Sequence, residues 1–133
     1  MESIALIACS RRKLAHRAKA QDLYQGERFR LACEFIERYE VDGAFVLSAR
    51  YGLVGLNEVI QPYDTSLADM TTRERHEWAR MISMDIIRKL PSGTHIIVLA
   101  EDLYAIPLRP YLLHAVYPLA GMNTEQQKAF LSS

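Results

Sequence analysis

The sequence predicts an α/β protein: a three-layer α/β/α domain around a mainly parallel sheet of about four strands. Three observations predict it. Short apolar runs at Ser3–Ala8, 44–47 and 95–100 lack clear alternation, as parallel strands buried on both faces do. Segments with helical period separate them. A polar or glycine-bearing turn follows each run, where open α/β sheets place their ligand sites. At 133 residues the chain suits one domain, 1–133, large enough to bury a core.

The first run ends abruptly in Cys9-Ser10-Arg11-Arg12-Lys13. From Ser3 to Gln21 there is no acidic residue, while Arg11, Arg12, Lys13, Arg17 and Lys19 are basic. Residues 22–26 read as a turn leading into a helix. There Phe29, Cys33 and Ile36 recur at helical spacing, widened by Ala32, Phe35 and Tyr39. Asp42-Gly43 is expected to stop that helix through a residue tolerant of positive φ.

The run 44–47 is the second strand, and Ser48-Ala49-Arg50-Tyr51-Gly52 is its turn. Residues 54–70 show no period and read as a long irregular loop, often a functional feature. Pro62 restricts Gln61 to extended backbone, so Tyr63-Asp64 is presented from a stiffened chain. Thr71 and Glu74 form a capping box, and Trp78, Met81, Ile82, Ile86 and Leu90 mark the inner face of the helix that follows. Pro91-Ser92-Gly93 ends it.

The third strand, 95–100, leads to Glu101-Asp102-Leu103-Tyr104. Pro107 and Pro110 suit the first turn of a short helix reaching about Leu113 or His114. Residues 115–118 are expected to form a last short strand. Asn123 with Gln126 caps a terminal helix ending near Phe130.

Composition excludes several classes. Hydrophobic residues make up 50% and charged residues 24%, which is globular rather than disordered. Sixteen basic and sixteen acidic side chains cancel, so a nucleotide or nucleic-acid partner has to be met through a local basic patch. No apolar run approaches the ~20 residues of a membrane span. The acid-first N-terminus reverses a secretory signal, so the expectation is a cytoplasmic protein with no membrane partner. Cys9 and Cys33 form no CxxC pair, and the four histidines have no ligand spacing. Neither a metal nor a cofactor is expected.

If the turns at 9–13, 48–52, 101–104 and 119–122 meet at one edge, they build a ligand site. Cys9, Ser10 and Lys13 suit an anion, although the glycines of a phosphate loop are absent and a solvated basic loop fits equally well. Arg50 can clamp phosphate or carboxylate, and Tyr24, Tyr51 or Tyr63 can stack on a base. Ser48 offers a hydroxyl, and Gly52 either approaches ligand or only makes the turn. Asp64 could orient water or stabilise a cationic sugar; it could equally make an Asx turn. Asp22, Glu101 and Asp102 have the same ambiguity between chemistry and helix capping.

Taken together, Cys9-Ser10-Arg11-Arg12-Lys13, Leu23-Tyr24, Leu47-Ser48-Ala49-Arg50-Tyr51-Gly52-Leu53 and Pro62-Tyr63-Asp64 resemble the motif series of an uncharacterised bacterial and phage domain family. That pattern is distantly similar to the YaaA peroxide-stress proteins and to the uracil-DNA-glycosylase-like domain of archaeosine synthase. The resemblance implies a uracil-DNA-glycosylase-like three-layer fold and chemistry on nucleobases or nucleic acid. In that expectation Asp64, Arg50 and Ser48 are catalytic, while Cys9, Ser10, Lys13, Tyr24, Tyr51, Gly52 and Tyr63 bind ligand. The chain departs from the pattern at Ala100-Glu101, and it lacks the Gln-Asp-Pro-Tyr run of uracil glycosylases. The function expected is an enzyme acting on a nucleobase or nucleotide, by N-glycosidic cleavage or base exchange. The alternative is a non-catalytic, YaaA-like nucleic-acid binder in stress or phage defence.

Overall fold

A computed structural model describes residues 2–133. In chain order it has β1 (Ser3–Ala8), β2 (Ala18–Lys19), α1 (Ala20–Leu23), α2 (Glu27–Arg38), β3 (Gly43–Ser48), β4 (Gly52–Gly55) and β5 (Val59–Ile60). A 3-10 turn, Leu67–Asp69, precedes α3 (Thr72–Lys89), β6 (His95–Leu99), α4 (Asp102–Leu108) and α5 (Thr124–Leu131). The main sheet runs β4-β3-β1-β6; β1 pairs in parallel with both β3 and β6, and β4 is antiparallel to β3. The mainly parallel α/β fold read from the sequence is therefore the fold observed.

The pleat of β1 explains the three layers. Ile4 and Leu6 point into one core with Trp78, Ile82 and Ile86 of α3 and Leu108 of α4. Ala5 and Ile7 point the other way, onto Phe29 and Ala32 of α2 and Leu131 of α5. Burial on both faces is why this strand reads as a continuous apolar run.

The fourth strand is not the one expected. Of residues 115–118 only Val116 bridges to β6, through its N–H to Ile96 (3.0 Å) and its carbonyl to the Val98 N–H (2.9 Å). The fourth strand is β4, from the stretch read as turn and loop. Ser48 pairs with Gly52 to close a tight hairpin, and Gly52 has φ +75°. Two apolar residues between glycines are too few to show a period. The loop also contains β5, which pairs with β2 in a second, small sheet.

Other local expectations need correction. Glu40, not Gly43, adopts the positive φ after α2; Gly43 starts β3, where a Cβ would lie 3.0 Å from Ile4 Cδ1. Asp22 lies within α1, and α2 is entered from Gly26 with no side-chain cap. Pro107 sits inside α4 near its end, because that helix starts directly after Glu101. Met81 is 39% exposed, while Ala79 and Asp85 take buried places on α3. The capping boxes Thr71/Glu74 and Asn123/Gln126 both form.

Candidate functional site

The carboxyl ends of β1 and β6 open into a cleft of about 680 Å³. That lies within the roughly 300–1,000 Å³ of small-molecule sites. One wall is the turn after β1. Ser10 Oγ accepts the Gly26 N–H (3.1 Å) and donates to the Arg12 carbonyl (2.8 Å). A Cβ on Gly26 would meet Ser10 Cβ at 2.7 Å, so only glycine lets the α2 entrance come this close. The Gln25 N–H donates to Arg12 O and the Leu14 N–H to Leu23 O, both at 2.9 Å, and Lys13 bridges to Tyr24. This short ladder gives a basic loop a defined backbone.

It also aims Lys13. Its Nζ lies 4.4 Å from the Tyr63 ring centroid and 5.9 Å from that of Tyr24, and donates to the Arg11 carbonyl at 3.2 Å. Partial burial lowers the Lys13 pKa; Cys9 and Asp64 pull it back up and Arg11 pushes it further down. Because the folded pKa is depressed, the charged amine costs stability at neutral pH, and the cost vanishes above the unfolded pKa.

Behind the amine runs a chain of hydroxyls. Ser48 Oγ donates to Tyr63 Oη (2.8 Å), and Tyr63 Oη shares a proton with Tyr24 Oη at 2.6 Å. Burial pushes Tyr24 up to about 12 and raises Tyr63 as well, so both are neutral donors or acceptors near pH 7. Cys9 Sγ lies 3.3 Å from Tyr104 Oη, whose pKa is also raised by burial.

The opposite wall is tied by Arg28. Its Nη1 donates to Glu101 Oε2 (2.9 Å) and to Gln127 Oε1 (2.7 Å), linking α2, the β6 turn and α5. Glu101 precedes α4 but makes no side-chain cap; Asp102 accepts the Gly121 N–H and fixes the turn at 119–122. Lys128 pairs with Glu27 at 3.1 Å.

The structure thus gathers five of the candidate residues on the cleft: Cys9, Ser10, Lys13, Tyr63 and Asp64. The others are elsewhere. Ser48 is fully buried, and its Oγ accepts the N–H groups of Arg50 (3.2 Å) and Tyr51 (2.9 Å). Tyr24 is 3% exposed, which leaves no face for a base. Gly52 is buried against Asp85. Arg50 is exposed and lies over the ring of Tyr51, outside the cleft lining; Tyr51 meets Tyr63 edge-on at 5.5 Å. Of the four turns, three line the cleft and 48–52 does not.

The basic patch expected there is not what lines it. Arg11, Arg12, Lys13, Arg28 and Lys128 are joined by Glu27, Asp64, Asp69 and Glu101, giving mixed charge. Arg28 and Gln127 escaped sequence reading, while Tyr104 lies on the cleft as part of the 101–104 turn. Gln127 left a faint signal: it is a polar side chain on the buried side of α5, 4% exposed, with its Nε2 donating to Met122 O. Among the described residues no three His, Cys, Asp or Glu side chains gather as a metal site, and no helix is long and apolar enough to cross a membrane.

A comparison with curated proteins finds no match. A family model matches residues 4–133, which takes in every wall of the cleft, and the chain belongs to that family, a family of unknown function (DUF6884).

Proposed function

We propose that this protein acts on a nucleobase or nucleotide, by N-glycosidic cleavage or base exchange, in the cleft at the carboxyl ends of β1 and β6. The observation that carries the reading is that Lys13, on a turn locked to the entrance of α2, shares that cleft with the Tyr63 ring and Asp64. Arg11 and Arg12 are exposed and have no carboxylate partner among the described residues, which suits a phosphate. The N-cap of α2 has no side-chain acceptor, so N–H groups of its first turn add to the same field. Asp64 supplies the carboxylate that orients water or stabilises positive charge on the sugar. In this reading Arg50 and Tyr51 act outside the chemical step.

The test is a panel of nucleoside monophosphates, scored by thermal shift and by release of free base. Binding that weakens at least tenfold in Arg12→Ala, with base release lost in Asp64→Asn while ligand is retained, supports the proposal. A panel that neither stabilises the protein nor loses its base removes it.

A second reading rests on a different observation. Arg11, Arg12, Arg17 and Lys19 are all exposed and carry no ion pair among the described residues. A non-catalytic nucleic-acid binder, of the YaaA-like kind, would use them for phosphate contacts. Its affinity would fall steeply with salt and would tolerate Asp64→Asn.

A further inference from the structure

We infer that Lys13 is the reacting amine of this cleft, capturing the C1′ carbon of a sugar as a Schiff base when the N-glycosidic bond is cut. The inference rests on the nucleotide reading above and gives Lys13 a different job from holding phosphate. The four lysines are not equivalent. Lys128 is paired with Glu27 (3.1 Å), Lys89 donates to the Leu53 carbonyl (2.8 Å), and Lys19 is exposed on β2. Lys13 alone lies on the cleft with no carboxylate within ion-pair distance among the described residues.

Partial burial lowers the Lys13 pKa against the opposing pull of Cys9 and Asp64, and leaves the amine open to the cleft. One carbonyl, Arg11 O, holds Nζ, and the Tyr63 ring covers one side. The hydroxyls of Ser48, Tyr63 and Tyr24 bond in sequence to one another rather than to Nζ. Cationic neighbours beside a desolvated lysine are a known route to a nucleophilic amine, and here Arg11 also draws in the anionic substrate.

The neutral amine attacks C1′, and the C1′–N bond breaks with its electron pair leaving on the base, which takes a proton from water. Asp64 takes the proton the amine loses. The nitrogen lone pair then forms a protonated imine, C1′=NH⁺, as the C1′–O4′ bond breaks, and Asp64 returns its proton to O4′; the iminium charge balances the hydroxide left when water protonated the base. Water later hydrolyses the imine and frees the lysine.

The test incubates the full chain with ribose 5-phosphate, or with an oligonucleotide carrying one abasic site, in the presence of cyanoborohydride. Adducts are located by peptide mass mapping, and binding of each probe is measured in parallel. An adduct on Lys13, reduced at least tenfold in Lys13→Arg, supports the inference; the sugar arm points to free nucleotides and the oligonucleotide arm to nucleic acid. An adduct on another lysine, or spread over all four, overturns it, and this reading on the native chain does not depend on the variant folding. Binding without any adduct overturns the Schiff base and leaves the nucleotide reading standing. Absence of binding by both probes overturns the two together.

Discussion

The turn after β1 and the turn after β3 contain the same kinds of side chain, but the fold uses them differently. In the hairpin between β3 and β4, Ser48 is buried, both following N–H groups bond to its Oγ, and the Trp78 indole N–H closes on its carbonyl at 3.0 Å. Gly52 is held at φ +75° against Asp85. The Ser48 hydroxyl and the hairpin's backbone groups are consumed by the fold, while Arg50 stays exposed outside the cleft. In the turn after β1 the backbone is equally well tied, but Lys13, Arg11 and Arg12 remain on an open cleft. Hydrogen-bond satisfaction, more than residue type, separates a structural turn from a binding one.

The two turns meet through Tyr63, so the largest effect should come from conditions that break the shared hydroxyl chain. Tyr24 is raised to about 12 and Cys33 from 9.0 to about 11, both mainly by burial. A raised folded pKa means the stabilisation is complete below the unfolded pKa and is lost as pH rises through the folded one. Stability should therefore fall between about pH 9 and pH 12. Ionisation of Tyr24 and Tyr63, followed by NMR of ring-labelled tyrosine, and loss of circular dichroism should occur together there; ionisation of either ring in an intact fold would disprove the shared lock.

Gly52→Ala comes next. It places a Cβ 2.9 Å from Asp85 Oδ2 in a left-handed backbone, and should cost about 3 kcal/mol in urea unfolding. A loss below about 1 kcal/mol would show that the hairpin is less constrained than its geometry implies. Ser48→Ala strips an acceptor from two N–H groups and a donor from Tyr63, and should cost about 2 kcal/mol. If it instead abolishes base release with stability unchanged, the hairpin belongs to the chemistry after all.

The smallest effect on stability belongs to the other turn. Lys13→Met keeps the stem, removes a partly desolvated charge, and should alter unfolding free energy by less than about 0.5 kcal/mol. Base release should nevertheless be lost. A variant that unfolds easily would make Lys13 a structural residue and erase the contrast.

Much of the architecture was legible beforehand. The apolar runs of β1, β3 and β6 and the two capping boxes act through near neighbours, so periodicity and spacing exposed them. The β4 strand was not legible, because Leu53 and Val54 become a strand only through pairing with β3. The site followed the same division. The turn after β1 could be recognised as basic, and Pro62-Tyr63-Asp64 as stiffened. That Tyr63 carries Lys13 on its face, and that Arg28 joins Glu101 to Gln127, depends on residues up to 99 positions apart.

By itself, then, the amino-acid order determined the layer architecture, the starts of α3 and α5 and the polar character of the strand ends, since each depends on local backbone chemistry. Only the tertiary structure decided which polar end stayed open. Burial and hydrogen-bond partners are set by segments distant along the chain, and they closed the hairpin around Ser48 while leaving Lys13 on the cleft.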